Sequence, residues 1–176
     1  ITKSNASTLC AFDNTNSTAP YGIQVRYSGV NPNNTVSNFY EAYSLAGGTT
    51  KYFEVRSNGG IANYQANNAN LSDEREKKDI ESLDSTWHCV ESWDLVKYRY
   101  NHDDVDTPQK YGVIAQQVEQ HCPEIITEWN KGTAEEPEMR LAVKEQQMTW
   151  MAIKALQEAM TRIETLEAEV AALKGA

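Results

Sequence analysis

The sequence predicts an α+β chain in three successive parts: an elongated β-rich stalk over residues 1–71, a small α/β module over 72–143 and a long C-terminal coiled-coil helix over 144–176. Three observations predict it. Short alternating runs separated by Asn, Gly and Pro fill the first part and read as strands. The charge changes abruptly at residue 72. The last part carries apolar side chains at alternating spacings of three and four, the seam of a helix that pairs with other helices.

The stalk is read from Gly22 to Tyr27, Phe39 to Ser44 and Lys51 to Arg56, each rich in aromatic or β-branched residues. Asn31-Pro32-Asn33-Asn34, Gly47-Gly48 and Asn58-Gly59-Gly60 punctuate them, and Asn58-Gly59 is a tight-turn signal. Large apolar residues are too sparse here to close a core alone. Two readings stay open: an elongated β structure that completes its core with identical chains, or a small β domain truncated at its start. Asn63 to Asn70 is nearly devoid of large apolar side chains and reads as an exposed linker, where a cleavable bond belongs.

Charge divides the chain at the same place. Residues 1–71 hold four basic and three acidic groups, a net +1, so the remainder holds −10 of a total −9. That balance argues against nucleic acid, since phosphate binding needs clustered Lys and Arg. No apolar run approaches the ~18 residues of a membrane span. The start lacks a signal-peptide core and an initiator methionine, so a fragment of a longer chain is expected. Cys10, Cys89 and Cys122 form neither a disulfide framework nor a zinc spacing; buried free thiols made in a reducing cytosol are expected.

In the module, Asp73 followed by Glu76 resembles a capping box, predicting a helix to about Leu83 with Ile80 and Leu83 inward. A second short helix is expected over Ser85–Asp94, with Trp87, Val90 and Trp93 as its apolar face. Val96 to Tyr100 alternates as a strand. Asp103, Asp104 and Asp106 lie in a polar loop without the glycine and terminal glutamate of a calcium loop, so a solvated loop is expected. Lys110 to Ile114 reads as a strand entering a short helix, Ala115 to His121, which Pro123 stops. Ile125 to Trp129 and Met139 to Val143 can pair as a hairpin around Lys131-Gly132. His88, His102 and His121 have no metal spacing and read as structural; no metal or cofactor is expected, and no phosphate-cradling glycine loop is present.

The final helix places Leu156, Ala159, Ile163, Leu166, Val170 and Leu173 on one seam, with an earlier start at Met148, Met151 and Ala152. Arg162 and Glu167, and Glu169 and Lys174, fall at flanking positions with opposite sign, as a parallel assembly requires. The a and d residues lean toward a dimer by the usual rule, but they do not settle the number of strands. A helix folded back on its own domain is the competing reading.

Ser72 and Lys77 are the candidate chemistry. A serine hydroxyl needs a base, and a desolvated lysine can serve. Five residues along a continuous helix set two side chains about 140° apart, poor geometry unless Ser72 lies outside the helix. By itself such a serine is most simply a helix cap.

Ser72-Asp73-Glu74-Arg75-x-Lys77-x-x-Ile80, followed by Tyr111-Gly112-Val113-Ile114-Ala115-Gln116-Gln117-Val118 and Cys122-Pro123-Glu124, resembles the two signatures of the intramolecular chaperone of endosialidases and related phage tailspikes and tail fibres, the peptidase S74 family. The resemblance covers residues 72–176. His121 stands where the family has an aliphatic residue, so no catalytic histidine carries over. The resemblance implies a homotrimer, hence a trimeric stalk upstream and a trimeric seam through Leu156, Ile163, Leu166, Val170 and Leu173. It implies autoproteolysis between Leu71 and Ser72 by a Ser72–Lys77 dyad, with Asp73 and Arg75 supporting the site. The product is a chaperone made in the host cytoplasm, aligning the upstream fibre of its own chain and released after assembly. The stalk stays in the virion fibre, whose parent chain can meet a host-surface receptor. The alternatives are a permanent structural or receptor-binding trimeric tip without cleavage, and a non-viral protein that uses the domain for release.

Overall fold

The computed structural model describes residues 22–30, 32–45, 48–65, 69–133 and 135–175. It divides into two compact units, residues 1–76 and 77–176.

In the first unit, β1 (Asn38–Ser44), β2 (Thr50–Arg56) and β3 (Ile61–Asn63) form an antiparallel sheet in that order. Register irregularities fall between Asn38 and Tyr40 and between Ala42 and Tyr43. The Asn58-Gly59 turn joins β2 to β3 as its sequence predicts. Gly59 adopts φ 83°, open to glycine at no steric cost, and the Asn58 side chain accepts the Gly60 N–H at 3.0 Å. Gly22 to Tyr27, expected as a strand, is not paired; Ile23 and Val25 are exposed. The ring pairs Tyr40–Phe53 and Tyr52–Tyr64 decorate the sheet at 5.9 and 5.4 Å. Among the unit's described residues only Glu54 is buried, and it is doubly paired, with Lys51 at 2.7 Å and Arg56 at 2.6 Å. A buried carboxylate is tolerated only with such partners. The sparse apolar content noted above thus gives a sheet without an apolar core of its own.

The predicted helix after Asp73 does not form. A single 3-10 turn covers Glu74–Glu76, and no regular structure follows until Trp87. Two local causes are visible. The Asp73 carboxylate accepts from the Arg75 backbone N–H at 2.9 Å, closing a tight local turn instead of capping a helix. Asp79 adopts φ 54°, a left-handed conformation that ends any right-handed turn. Ile80 and Leu83, expected inward, are exposed, so no burial stabilises a helix there.

The second unit holds α1 (Trp87–Glu91), β4 (Val96–Tyr98), β5 (Lys110–Gly112), α2 (Ala115–Glu119), β6 (Ile126–Asn130), β7 (Met139–Val143) and α3 (Glu145–Gly175). β4 pairs with β5 and β6 with β7, both antiparallel. The hairpin matches its expected place; α2 ends at Glu119, two residues short of the expected His121, and Pro123 opens a separate 3-10 turn, Pro123–Ile125. Val118, Cys122, Ile125 and Met151 make the core, flanked by Cys89, Val90, Trp93, Val113, Ile126 and Met148. These residues come from α1, α2, the 3-10 turn, β6 and the first turns of α3, with Trp93, Val113 and Cys122 from the short connections beside them. Thr86 ties α1 to α3: its buried hydroxyl donates to the Met151 carbonyl at 2.7 Å. Ser85 donates to Glu158 at 2.8 Å, and the Arg162 guanidinium lies 3.9 Å from the Trp87 ring centre.

Two expectations are corrected. Asp103 is not solvated: it accepts from Lys110 at 2.8 Å and from the Tyr100 N–H at 2.9 Å, closing the β4–β5 loop, while Asp104 and Asp106 stay exposed. Cys89 and Cys122 are not free thiols; a disulfide joins them across 5.9 Å between Cα atoms. They are 33 residues apart, which hid the pair, but α1 and the end of α2 meet over one core. Cys10 lies outside the described residues, as do 66–68 of the expected linker.

Candidate self-cleavage site and assembly face

Residues 71–80 carry the candidate cleavage chemistry. Leu71 and Ser72 are exposed and precede the Glu74–Glu76 turn. Asp73 and Arg75 are brought together as a bidentate pair: the Arg75 Nε donates to one carboxylate oxygen at 2.9 Å and Nη2 to the other at 2.6 Å. The guanidinium, helped by the Arg75 backbone N–H, holds the Asp73 carboxyl below the usual carboxylate range. Asp73 is therefore an ionised brace for the turn rather than a proton donor. Ser72 belongs to the first unit and Lys77 opens the second; both are solvent-exposed in the single chain. A lysine acts as a base when it is desolvated.

The second candidate feature is α3. Its 31 residues span about 46 Å at 1.5 Å per residue. The first turns serve the module: Met151 and Ala155 are buried, and Met148 packs on the core. The expected early seam is thus corrected. Met148 and Met151 face their own domain, and Ala152 is exposed. Beyond this anchor, Leu156, Ile163, Leu166, Val170 and Leu173 are all exposed, with Ile153 and Met160 extending the stripe. The spacing 153, 156, 160, 163 shows that Met160 continues the exposed stripe, while Ala159 is half-buried. Periodicity alone did not separate these two stripes, because both repeat every three and four residues.

The histidines do not gather. His88 lies 3.5 Å from Glu91, His102 stacks on Tyr100 at 5.7 Å, and His121 is exposed. Sequence reasoning missed the Tyr98–Tyr100 pair. The rings lie 5.4 Å apart, and the Tyr100 hydroxyl first, then burial, pushes the Tyr98 phenol up to about 12. Two tyrosines at i and i+2 on one alternating strand were the available signal. No helix among the described residues is long and apolar enough to cross a membrane.

Residues 72–127 match the family model of the chaperone of endosialidase, peptidase S74. The resemblance read from the two signatures therefore holds for this segment, which contains Ser72, Lys77 and both motifs. Among solved structures, the chain is similar to the carboxy-terminal domain of the bacteriophage T5 L-shaped tail fibre with its intramolecular chaperone domain. Identity is 10% and the TM-score 0.36, over 73% of this chain and 44% of that one. The chain thus spans less than half the length of that structure. No curated protein matches the chain.

Proposed function

We propose that residues 72–176 are an intramolecular chaperone that trimerises and aligns a phage tail fibre or tailspike, then releases itself by cleaving Leu71–Ser72. The observation that supports it is the family match over residues 72–127 together with α3, a helix anchored at its start and carrying an exposed apolar stripe along its remainder. A helix with an uncovered stripe through Leu156, Ile163, Leu166, Val170 and Leu173 gains by packing against copies of itself. Gathering three chains at one end removes most of the entropic cost of bringing slender β stalks into register. The stalk sheet needs such partners, since only a paired Glu54 is buried in it.

In the proposed cleavage, Lys77 takes the Ser72 hydroxyl proton and Ser72 Oγ attacks the Leu71 carbonyl carbon. The Leu71–Ser72 C–N bond breaks, and its nitrogen leaves as the Ser72 amine with a proton. An ester joins Leu71 to Ser72 Oγ until water opens it to a free carboxylate. Asp73 and Arg75 hold the turn that presents the bond. Lys77 is exposed in the single chain and needs desolvation to act as a base, so assembly is the step that switches cleavage on. The reading needs no cofactor and no nucleic acid. The parent fibre remains in the virion and carries whatever receptor contact it makes.

Mass spectrometry of the purified, assembled chain tests this. Fragments of 71 and 105 residues are expected, with intact chain for Ser72→Ala and Lys77→Ala. A wild-type trimer that keeps its full-length chain would overturn self-release and leave a permanent fibre tip.

A further inference from the structure

The second unit carries a cluster that the proposed chaperone function does not use. The sulfurs of Cys89 and Cys122 and a carboxylate oxygen of Glu124 lie within 4.8 Å of one another. They come from two places that meet at the core: Cys89 from α1, and Cys122 and Glu124 from the start of the 3-10 turn. Cys122 is fully buried, Cys89 is half-buried, and Glu124 is exposed at the mouth. Both backbone ends of the cluster are held. The Cys122 N–H donates to the Val118 carbonyl at 2.8 Å, and the Lys144 ammonium donates to the Glu124 carbonyl at 2.9 Å.

We propose that the reduced form of this pair, with Glu124, is a binding site for a thiophilic divalent cation of the zinc class. Reduction by a thiol or phosphine adds two electrons and two protons and converts the disulfide to two thiols. The cation then displaces both protons and bonds to two thiolates and one carboxylate oxygen, leaving a fourth position to water. The geometry favours this exchange. Zinc–sulfur bonds of about 2.3 Å in a tetrahedron set two sulfurs about 3.8 Å apart. Two unbonded sulfurs rest at nearly that distance, so reduction itself opens the sulfur spacing that the ion requires. A two-sulfur, one-oxygen set with an open position suits zinc over magnesium or calcium, which take oxygen alone. The core thus has two alternative locks at one place, a covalent bond when oxidised and a metal bridge when reduced.

Cobalt(II) binding to the full chain, carrying Cys10→Ala to remove the third thiol and reduced with a phosphine, tests the site. One cobalt per chain is expected, with a sulfur-to-cobalt charge-transfer band that zinc bleaches. The oxidised chain, which keeps its fold and lacks thiolates, is expected to give no band. Cys89→Ala should abolish the band. Glu124→Gln should weaken cobalt binding roughly tenfold or more, since even an outer-shell partner is worth that much. Circular dichroism on the same samples reports whether the helices persist. No band in a reduced, folded chain would overturn the proposal, as would a band that survives Cys89→Ala or a chain that loses its helices on reduction.

Discussion

Ile163→Asp separates assembly from folding. Ile163 lies on the free part of α3, eight residues beyond the last buried one, and 54% of it is exposed in the single chain. Fully burying such a side chain contributes about 2.5 kcal/mol, so covering its exposed half contributes roughly 1.3 kcal/mol per chain. In the proposed trimer, three copies meeting on one axis together lose about 4 kcal/mol, on the order of a thousandfold in the assembly constant. Three carboxylates brought onto the same axis add repulsion to that loss. The module's own core, Val118, Cys122, Ile125 and Met151, is untouched. Sedimentation at low micromolar concentration should therefore show a trimer for wild type and a monomer for Ile163→Asp, with equal thermal melting of the module in both. If cleavage at Leu71–Ser72 follows the proposed mechanism, it should fail in the same variant, because the proposed base needs the assembly to desolvate it. An Ile163→Asp chain that stays trimeric, or that melts earlier as an isolated module, would refute the reasoning.

Other consequences are testable on the single chain. The Cys89–Cys122 bond closes a loop of 33 residues, worth roughly 4 kcal/mol by loop-closure entropy; in metal-free buffer, reduction should lower the urea midpoint accordingly, and equal midpoints would contradict it. Gly132 in the β6–β7 loop has no room for a side chain, since a Cβ there would overlap the Glu136 carbonyl and come within 2.8 Å of the Glu138 nitrogen. Gly132→Ala should cost about 1–3 kcal/mol in thermal unfolding. Lys51 first and Arg56 second hold Glu54 below its ordinary 4.5, and Lys51 and then Tyr43 do the same for Glu41. Groups that titrate lower when folded stabilise the sheet above their unfolded pKa, and that stability is lost as pH falls through the folded values. Amide protection in β1 and β2 should therefore decline on acidification below about pH 4.5, and Glu54→Gln should flatten the decline.

Local signals were legible wherever the determinant lay within a few residues. The Asn58-Gly59 turn, the β6–β7 hairpin, the short helix before Pro123 and the long final helix stand where their sequences place them. The helix expected after Asp73 failed because its capping pattern has a local competitor two residues on, in Arg75, and because none of the described residues buries Ile80 and Leu83. Gly22 to Tyr27 failed for a related reason, since alternation gives no ladder where none of the described strands pairs with it. The candidate cleavage motif was legible as a pattern of residues; the Asp73–Arg75 brace within it became visible only as a pair of bonds.

The sequence by itself determined the strand and helix periods, the charge step at residue 72 and the two motifs that match the chaperone family. Each of these is written in near-neighbour spacing, which the chain's covalent geometry converts directly into a face or a turn. Only the tertiary structure decided which of two similar stripes on α3 serves the module and which stays bare, that Asp103 closes a loop, and that Cys89 meets Cys122. Those outcomes depend on which elements share a core. Side chains 33 or 65 residues apart, such as Cys89 with Cys122 or Thr86 with Met151, are paired by packing and not by spacing.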